Sequence, residues 1–292
     1  MSAPSTTVGL PVYNGEPFLK AAVDGILSQS LGDFVLLISD NASTDGTQEI
    51  CEEYARRDAR VRYLRQDMNR GAAWNLNSLA DMATTPYFMW HAADDIAERG
   101  LLESCVSRLN DSPVAVLAFT EADVIDQHGN VMPCPAEPRG TGAVSVAQRF
   151  AACLEPFPYS ENVFYGMMRT AVLQHTRRHG LFGGGDRALS AELSLYGPFL
   201  RIPEVLFHRR ANLKNASEAE TQTYNTGGQA RSLTQREWRI LWHNVGSVAR
   251  APLASADRRG LYVLLARRLV DRRVMYLREL KQLIWGAVGL KP

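Results

Sequence analysis

Along the first half of the chain, short apolar runs alternate with segments whose apolar residues recur at helical spacing. Thr6–Val12, Phe34–Ile38, Val61–Leu64, Tyr87–Trp90 and Val114–Phe119 have the length and character of strands. Phe34–Ile38 is continuously apolar, as a strand buried on both faces should be. Between them, Phe18–Leu27, Ala72–Met82 and Arg99–Leu109 predict helices, and a further helix capped by Ser43 or Thr44 runs to about Arg57. Val124 to Val131, with Gly129-Asn130 between, predicts a hairpin with a tight turn. Farther on, Val146–Leu154 and Ala188–Tyr196 predict helices, with Gly197 at a C-cap position. Phe199–Ile202 and Val205–His208 predict two more strands. Strands alternating with helices imply an α/β fold around a mostly parallel, Rossmann-like sheet with right-handed crossovers.

Composition narrows the picture without naming a function. The 292 residues are 46% hydrophobic and 22% charged, an ordinary globular balance for one large domain or one domain with an appendage. The net charge of +1 offers no general attraction to nucleic acid. No apolar run approaches the ~20 residues of a membrane-spanning helix, and Met1–Thr7 lacks the pattern of a signal peptide. Cys51, Cys105, Cys134 and Cys153 are scattered, which fits free thiols in a reducing cytoplasm better than disulfides or a zinc site. Charge is unevenly spread. Gln229 to Pro292 holds 13 basic and 4 acidic residues, while 1–228 holds 19 and 27. Pro133–Gly142 has the composition of a loop. The polar stretch Asn212–Gly228 marks a boundary between a domain at 1–228 and a basic, largely helical extension at 229–292.

Three predicted strands end in polar clusters: Pro11-Val12-Tyr13-Asn14-Gly15, Ser39-Asp40-Asn41-Ala42-Ser43-Thr44-Asp45-Gly46, and His91-Ala92-Ala93-Asp94-Asp95. Ligands of open α/β sheets bind beyond the carboxyl ends of the strands, so neighbouring strands would turn these clusters into one crevice. The adjacent carboxylates Asp94 and Asp95 repel unless a cation stands beside them. A hard divalent ion accepts such oxygens and takes water and phosphate oxygens as its other ligands. The plainer alternative has one Asp capping the next helix and the other facing solvent. No P-loop and no dinucleotide-binding glycine fingerprint is present, so a phosphate ligand would be held through metal and basic side chains.

Taken in order, Val8-Gly9-Leu10-Pro11-Val12-Tyr13-Asn14, Gln29-Ser30, Ser39 to Thr47, Asn69-Arg70-Gly71 leading to Asn75, and Asp94-Asp95 resemble a family 2 glycosyltransferase with a GT-A fold. The likeness runs from about Thr6 to Arg210. It implies transfer of a sugar from a nucleotide-diphosphate donor, most simply a UDP-sugar, to an acceptor hydroxyl with inversion at the anomeric carbon. The setting it implies is bacterial polysaccharide or glycoconjugate synthesis on a saccharide or lipid-linked acceptor. It also implies that Pro11, Tyr13, Asn14 and Asp40 hold the nucleotide, that Arg70 and Asn75 approach the donor, and that Asp94 and Asp95 bind Mn²⁺ or Mg²⁺. One departure is Ala92, which stands where relatives often carry a further Asp. His91 beside it is either a supplementary ligand or a hydrogen-bonded strand-end histidine.

In the second half, Gly183-Gly184-Gly185-Asp186 precedes a predicted helix. The resemblance makes Asp186 the general base, with Glu192 as the fallback; composition alone would make Asp186 an N-cap. Arg210, or Arg209 beside it, would neutralise the leaving diphosphate. The position that aligns with a His of some relatives is Asn212. Gly166 and Arg169 are expected on the acceptor side. Two other readings compete: a sugar nucleotidyltransferase, which lacks the Gly-rich phosphate loop it would need, and a nucleotide-sugar-binding module without catalysis. The basic tail predicts either packing on the acidic surface of the catalytic domain or peripheral contact with an anionic membrane.

Overall fold

A computed structural model gives the fold and describes residues 4–133, 145–155, 162–211 and 236–288, with 286–288 described by their backbone alone. Cys134, Asn212, Tyr159, the end of the Pro133–Gly142 loop and the boundary near Gly228 lie outside the described residues.

The elements follow the alternation of the sequence. They are β1 (Thr6–Val12), α1 (Leu19–Leu27), β2 (Phe34–Asp40), α2 (Thr47–Arg57), β3 (Val61–Arg65), α3 (Ala72–Met82), β4 (Tyr87–Trp90), β5 (Ile96–Ala97), α4 (Leu101–Asn110), β6 (Leu117–Ile125) and β7 (Val131–Met132). After these come α5 (Val146–Leu154), β8 (Met167–Arg169), α6 (Thr170–His175), α7 (Gly185–Ser194) and β9 (Phe199–Arg210). Three helices close the chain: α8 (Arg236–Arg250), α9 (Ser255–Asp271) and α10 (Arg273–Val288). The strand order is β3-β2-β1-β4-β8-β6-β9-β5, with β7 paired to β6. β3, β2, β1 and β4 run parallel, and β6 is parallel to β9. The short β8 and β5 are antiparallel insertions. The result is the expected α/β, GT-A-type architecture.

The sheet is buried on both faces. Val8, Leu10 and Val12 of β1 point into one core with α1, α2 and α4. Leu37, Phe88, Trp90, Leu117 and Phe119 point into the other, with α3, α5 and α7. That second core is completed by Leu241 and Val248 of α8, Leu261 and Leu265 of α9 and Tyr276 of α10. The C-terminal helices therefore share the core of the sheet.

Local expectations fail where long-range contacts decide. α2 is capped by neither Ser43 nor Thr44: its first amides are met by Asp45 Oδ1 (3.1 Å to Thr47 N) and Glu16 Oε2 (2.9 Å to Gly46 N). Val114 is exposed and the strand starts only at Leu117. The two predicted strands after Gly197 are one, β9, whose irregular register against β6 absorbs Pro203-Glu204. α7 begins at Gly185, and Gly197 is not its left-handed cap. A Cβ at Gly197 would lie 2.4 Å from the Val114 carbonyl, so the glycine permits a close approach of two backbones. Gly166 and Arg169 are structural. Arg169 Nε donates to Ala115 O (2.8 Å), and its NH2 group donates to Leu109 O (2.8 Å), meeting carbonyls at and just after the end of α4. A Cβ on Gly166 would lie 2.9 Å from Ala118 O.

Candidate active site

The parallel register brings the polar strand ends to one edge. Val12 lies beside Asp40, Asp40 beside Arg65, and Gly9 beside Trp90. Gly9 O accepts from His91 N, so β1 is paired with β4 only up to that point. Pro11, two residues on, turns its nitrogen to the same side beyond the end of β4, where a missing N–H breaks no ladder bond.

Hydrogen bonds join the loops after β1 and β2. Asn14 N donates to Ser43 Oγ (2.9 Å), and Asn14 Oδ1 accepts from Thr44 N (2.8 Å). Gly15 N donates to Thr47 Oγ1 (2.9 Å), and Glu16 N to Asp45 Oδ2 (3.2 Å). Asn14 has φ of +53°, a left-handed conformation that Asn tolerates better than most residues. The loop before α3 joins the same framework. Asn41 Nδ2 donates to Asn69 Oδ1 (2.9 Å), while Asn41 Oδ1 accepts from Arg70 N (3.0 Å). Tyr13, on this edge, is 43% exposed and open to a ligand.

Asp40 is fully buried. Its Oδ1 accepts from Ser43 N (2.8 Å), and its Oδ2 from Tyr63 OH (2.9 Å) and Arg65 NH1 (3.1 Å). This carboxylate holds the loop that carries Asn41 and Ser43. Asn75, also buried, donates from Nδ2 to Ser39 O (2.8 Å) and fixes α3 beneath the end of β2. The Arg70 guanidinium lies over the Trp74 ring (4.8 Å) and pairs with Asp67 (2.9 Å).

Asp94 and Asp95 form the turn between β4 and β5, and Arg210 at the end of β9 ties that turn down. Its backbone N donates to Asp95 Oδ1 (2.8 Å), its Nε to Asp94 O (2.9 Å) and its NH1 to Asp126 O (2.6 Å), with the guanidinium over Phe18 (4.4 Å). Burial raises the carboxyl of Asp94, although Arg210 and Arg209 oppose it. Burial and the charge of Asp94 push Asp95 up to about 7. Two crowded carboxylates with raised proton affinity are a frequent mark of a functional site. His91 is fully buried, its Nδ1 is 2.8 Å from Ala92 O, and burial lowers it to about 4. Among the described residues no group of three or more His, Cys, Asp or Glu could hold a metal ion by itself.

Asp186 is exposed in the first turn of α7. The helix is preceded at its N-cap by Gly184, whose φ of +85° favours glycine and where a Cβ would meet Ile240 at 2.8 Å. Stacked and edge-on rings join this helix start to the end of β4: Trp90 to Phe164 (5.1 Å), and Phe164 to His179 (5.7 Å). His179 packs directly against Gly185. Glu192 is elsewhere. It is fully buried between α7 and α8, accepts from Arg177 N (2.9 Å) and lies 3.2 Å from His243 Nε2. It is closed to an acceptor hydroxyl. Sequence reading placed Asn41 and Asn69 in motifs without a role and missed Glu16, Tyr63 and Arg65 as the framework of the site. No local signal marks those three, because each acts on a residue more than twenty positions away.

Residues 7–133, which contain all three strand-end clusters, match the family model described as "Glycosyl transferase family 2". Over this stretch the chain is similar to glycosyl transferase family 2. The Putative glycosyltransferase EpsE of Bacillus subtilis is 31% identical over 142 residues, 47% of this chain and 51% of EpsE. A Rickettsia prowazekii protein, the Uncharacterized glycosyltransferase RP339, is 24% identical over 247 residues, 82% of this chain and 71% of its own length. The chain spans about half the length of the first curated relatives it matches. Among solved structures, S. aureus TarS residues 1–349 superposes with a TM-score of 0.65 at 14% identity, covering 91% of this chain and 72% of that one. That likeness bears on the fold. The family match bears on the crevice, because it falls on the residues whose geometry builds it.

Proposed function

We propose that this protein is an inverting glycosyltransferase that moves a sugar from a nucleotide-diphosphate donor to an acceptor hydroxyl in the cytoplasm. One observation carries the reading. The family-matched loops after β1, β2 and β4 open at one edge of the sheet, and Arg210 locks the Asp94–Asp95 turn there. Donor class is supported by TarS, which has been solved with UDP and with UDP-GlcNAc. A UDP-sugar is the proposed donor, and a saccharide or lipid-linked saccharide of bacterial polysaccharide synthesis the proposed acceptor.

The family resemblance proposes the roles, and the position of each residue supports them. Tyr13 is exposed to pack on the base, while Pro11, Asn14 and the Asp40-held loop shape its walls. Arg70 and Asn75 lie on the third loop and the helix behind it, on the donor side. Asp94 is accessible enough to meet the diphosphate, and Asp95 stands behind it. The donor set fits a hard divalent ion: two crowded carboxylates with raised proton affinity, too few to complete a shell, leave positions for water and phosphate oxygens. Asp94 and Asp95 would hold Mn²⁺ or Mg²⁺, which supplies charge to stabilise the departing diphosphate. Arg210 adds fixed positive charge beside them. Asp186, exposed at the start of α7, takes the proton of the attacking hydroxyl. Inversion follows if one carboxylate activates the acceptor and no covalent intermediate forms.

The test is turnover with a panel of UDP-sugars and saccharide acceptors, following UDP release and the anomeric configuration of the product by NMR. UDP release that needs an acceptor and gives an inverted product supports the reading. A retained configuration overturns the single displacement. Tight UDP binding with no transfer from any donor points to a binding module.

A further inference from the structure

We propose that the outer face of α10 is a docking surface for an anionic lipid bilayer. This goes beyond the sugar-transfer reading and stands apart from it. The inner face of the helix is accounted for. Tyr276 is buried against Trp238 (ring centroids 5.0 Å), and its carbonyl accepts from Trp238 Nε1 (3.1 Å). Glu279, the single acid of α10, accepts from the backbone N of Glu237 and of Trp238 and so caps α8.

The outer face has no such partners. Val274, Leu277 and Ile284 stand 75%, 59% and 53% exposed, three and seven positions apart, so they line one stripe of the helix. Arg273 and Arg278 are exposed on its two sides, and exposed Lys281 lies within the stripe, between Leu277 and Ile284 along the helix and over the Trp285 ring (4.2 Å). With Glu279 committed to α8, the exposed charge of this helix is entirely cationic. Exposed apolar side chains flanked and interrupted by cations, with no exposed acid among the described residues of the helix, match the boundary between anionic lipid headgroups and acyl chains.

The structure also narrows the basic tail as a source of charge. Arg268 and Arg272, which interrupt the apolar face of α9, turn inward to Glu155 at the end of α5, and Arg268 also donates to Leu154 O (2.8 Å). They anchor α9 to the catalytic layer and are spent there. The docking charge belongs to Arg273, Arg278 and Lys281.

The experiment uses the full chain with vesicles of phosphatidylcholine alone and of phosphatidylcholine mixed with phosphatidylglycerol, at low and high ionic strength. Co-sedimentation is expected only with the mixed vesicles, and weaker at high salt. Leu277→Glu with Ile284→Glu should abolish it. The triple variant Arg273→Gln, Arg278→Gln, Lys281→Gln should weaken it on the order of 100-fold, at roughly fivefold per cation. None of these side chains is buried, so the variants should keep the wild-type melting temperature and UDP affinity. That control keeps the result separate from the donor reading. Equal sedimentation by variants and wild type overturns the proposal, as does failure of the wild type to bind mixed vesicles. Sedimentation velocity then decides what covers the face. A dimer dissolved by Leu277→Glu with Ile284→Glu means that a second copy covers the face and overturns the proposal, and a monomer leaves the face open to lipid, as the proposal requires.

Discussion

Asp95 and His91 stand four positions apart at the same strand end, and their burial makes them respond to pH in opposite directions. Asp95 is raised to about 7 when folded, so the folded state holds its proton more tightly than the unfolded chain does. Its contribution is most favourable at low pH and is lost as pH rises from about 4 to 7. His91 is lowered to about 4, so its contribution is complete above its ordinary value near 6.5 and is lost as pH falls towards 4. The two slopes overlap, and single substitutions separate them. In chelator, Asp95→Asn should raise the melting temperature at pH 7 and leave it unchanged at pH 4. His91→Phe should flatten the acid limb. A melting curve of Asp95→Asn that falls below wild type at pH 7 would refute the crowding of the pair. For chemistry, Asp186→Asn should lower turnover by ~10²–10⁴-fold with donor affinity unchanged. Glu192→Gln should act on stability instead, because Glu192 is buried against His243 and Arg177 N. At this scale the sequence was partly legible. The spacing of Asp40, Asp94 and Asp186 from their strands and helix is local and could be read. That Asp40 is wholly engaged by Tyr63, Arg65 and Ser43 could not, since two of those partners lie on the neighbouring strand.

At the scale of elements, the site is a set of loops held in register by side chains that do not touch a ligand. Asn41 alone bonds Asn69 and the Arg70 amide. Asn41→Ala should cost about 1–3 kcal/mol in denaturant unfolding and weaken UDP binding, because the third loop loses its anchor to the second. Unchanged UDP affinity would show that the loop is held elsewhere. α7 depends on α8 in the same way. Arg187, next to Asp186, donates to both oxygens of Glu237 (3.0 and 3.1 Å) in a buried pair. Glu237→Ala leaves a buried guanidinium without its partner and should destabilise by roughly 3–5 kcal/mol. The elements themselves were legible where periodicity is strong and ends are local: α3, β4 and α5 lie where the hydrophobic pattern puts them. Misreadings cluster at ends fixed from afar. Glu16 and Asp45 set the start of α2, and a backbone approach rather than a cap requires Gly197.

For the whole molecule, the strong charge asymmetry of the sequence suggested a catalytic domain at 1–228 and a basic helical extension, and the described helices beyond residue 235 help close the second core. A chain ending before Arg236 would lose Leu241, Val248, Leu261, Leu265 and Tyr276 from the second core, and should be expressed insoluble or without a cooperative melt; a soluble fragment with a sharp transition would contradict that account. Membrane contact is therefore best probed by surface substitutions in α10. The central claim is that the crevice built by the β1, β2 and β4 loops takes a nucleotide diphosphate through Asp94. It is tested most directly by the melting temperature of the full chain against UDP concentration, with and without Mn²⁺, in the wild type and in Asp94→Ala. A ligand at a hundred times its Kd stabilises by about 2.7 kcal/mol. The wild type should gain several degrees with UDP and Mn²⁺ together and far less with either alone, and Asp94→Ala should lose that gain while still folding. An equal gain in both proteins, or none in the wild type, would contradict the claim.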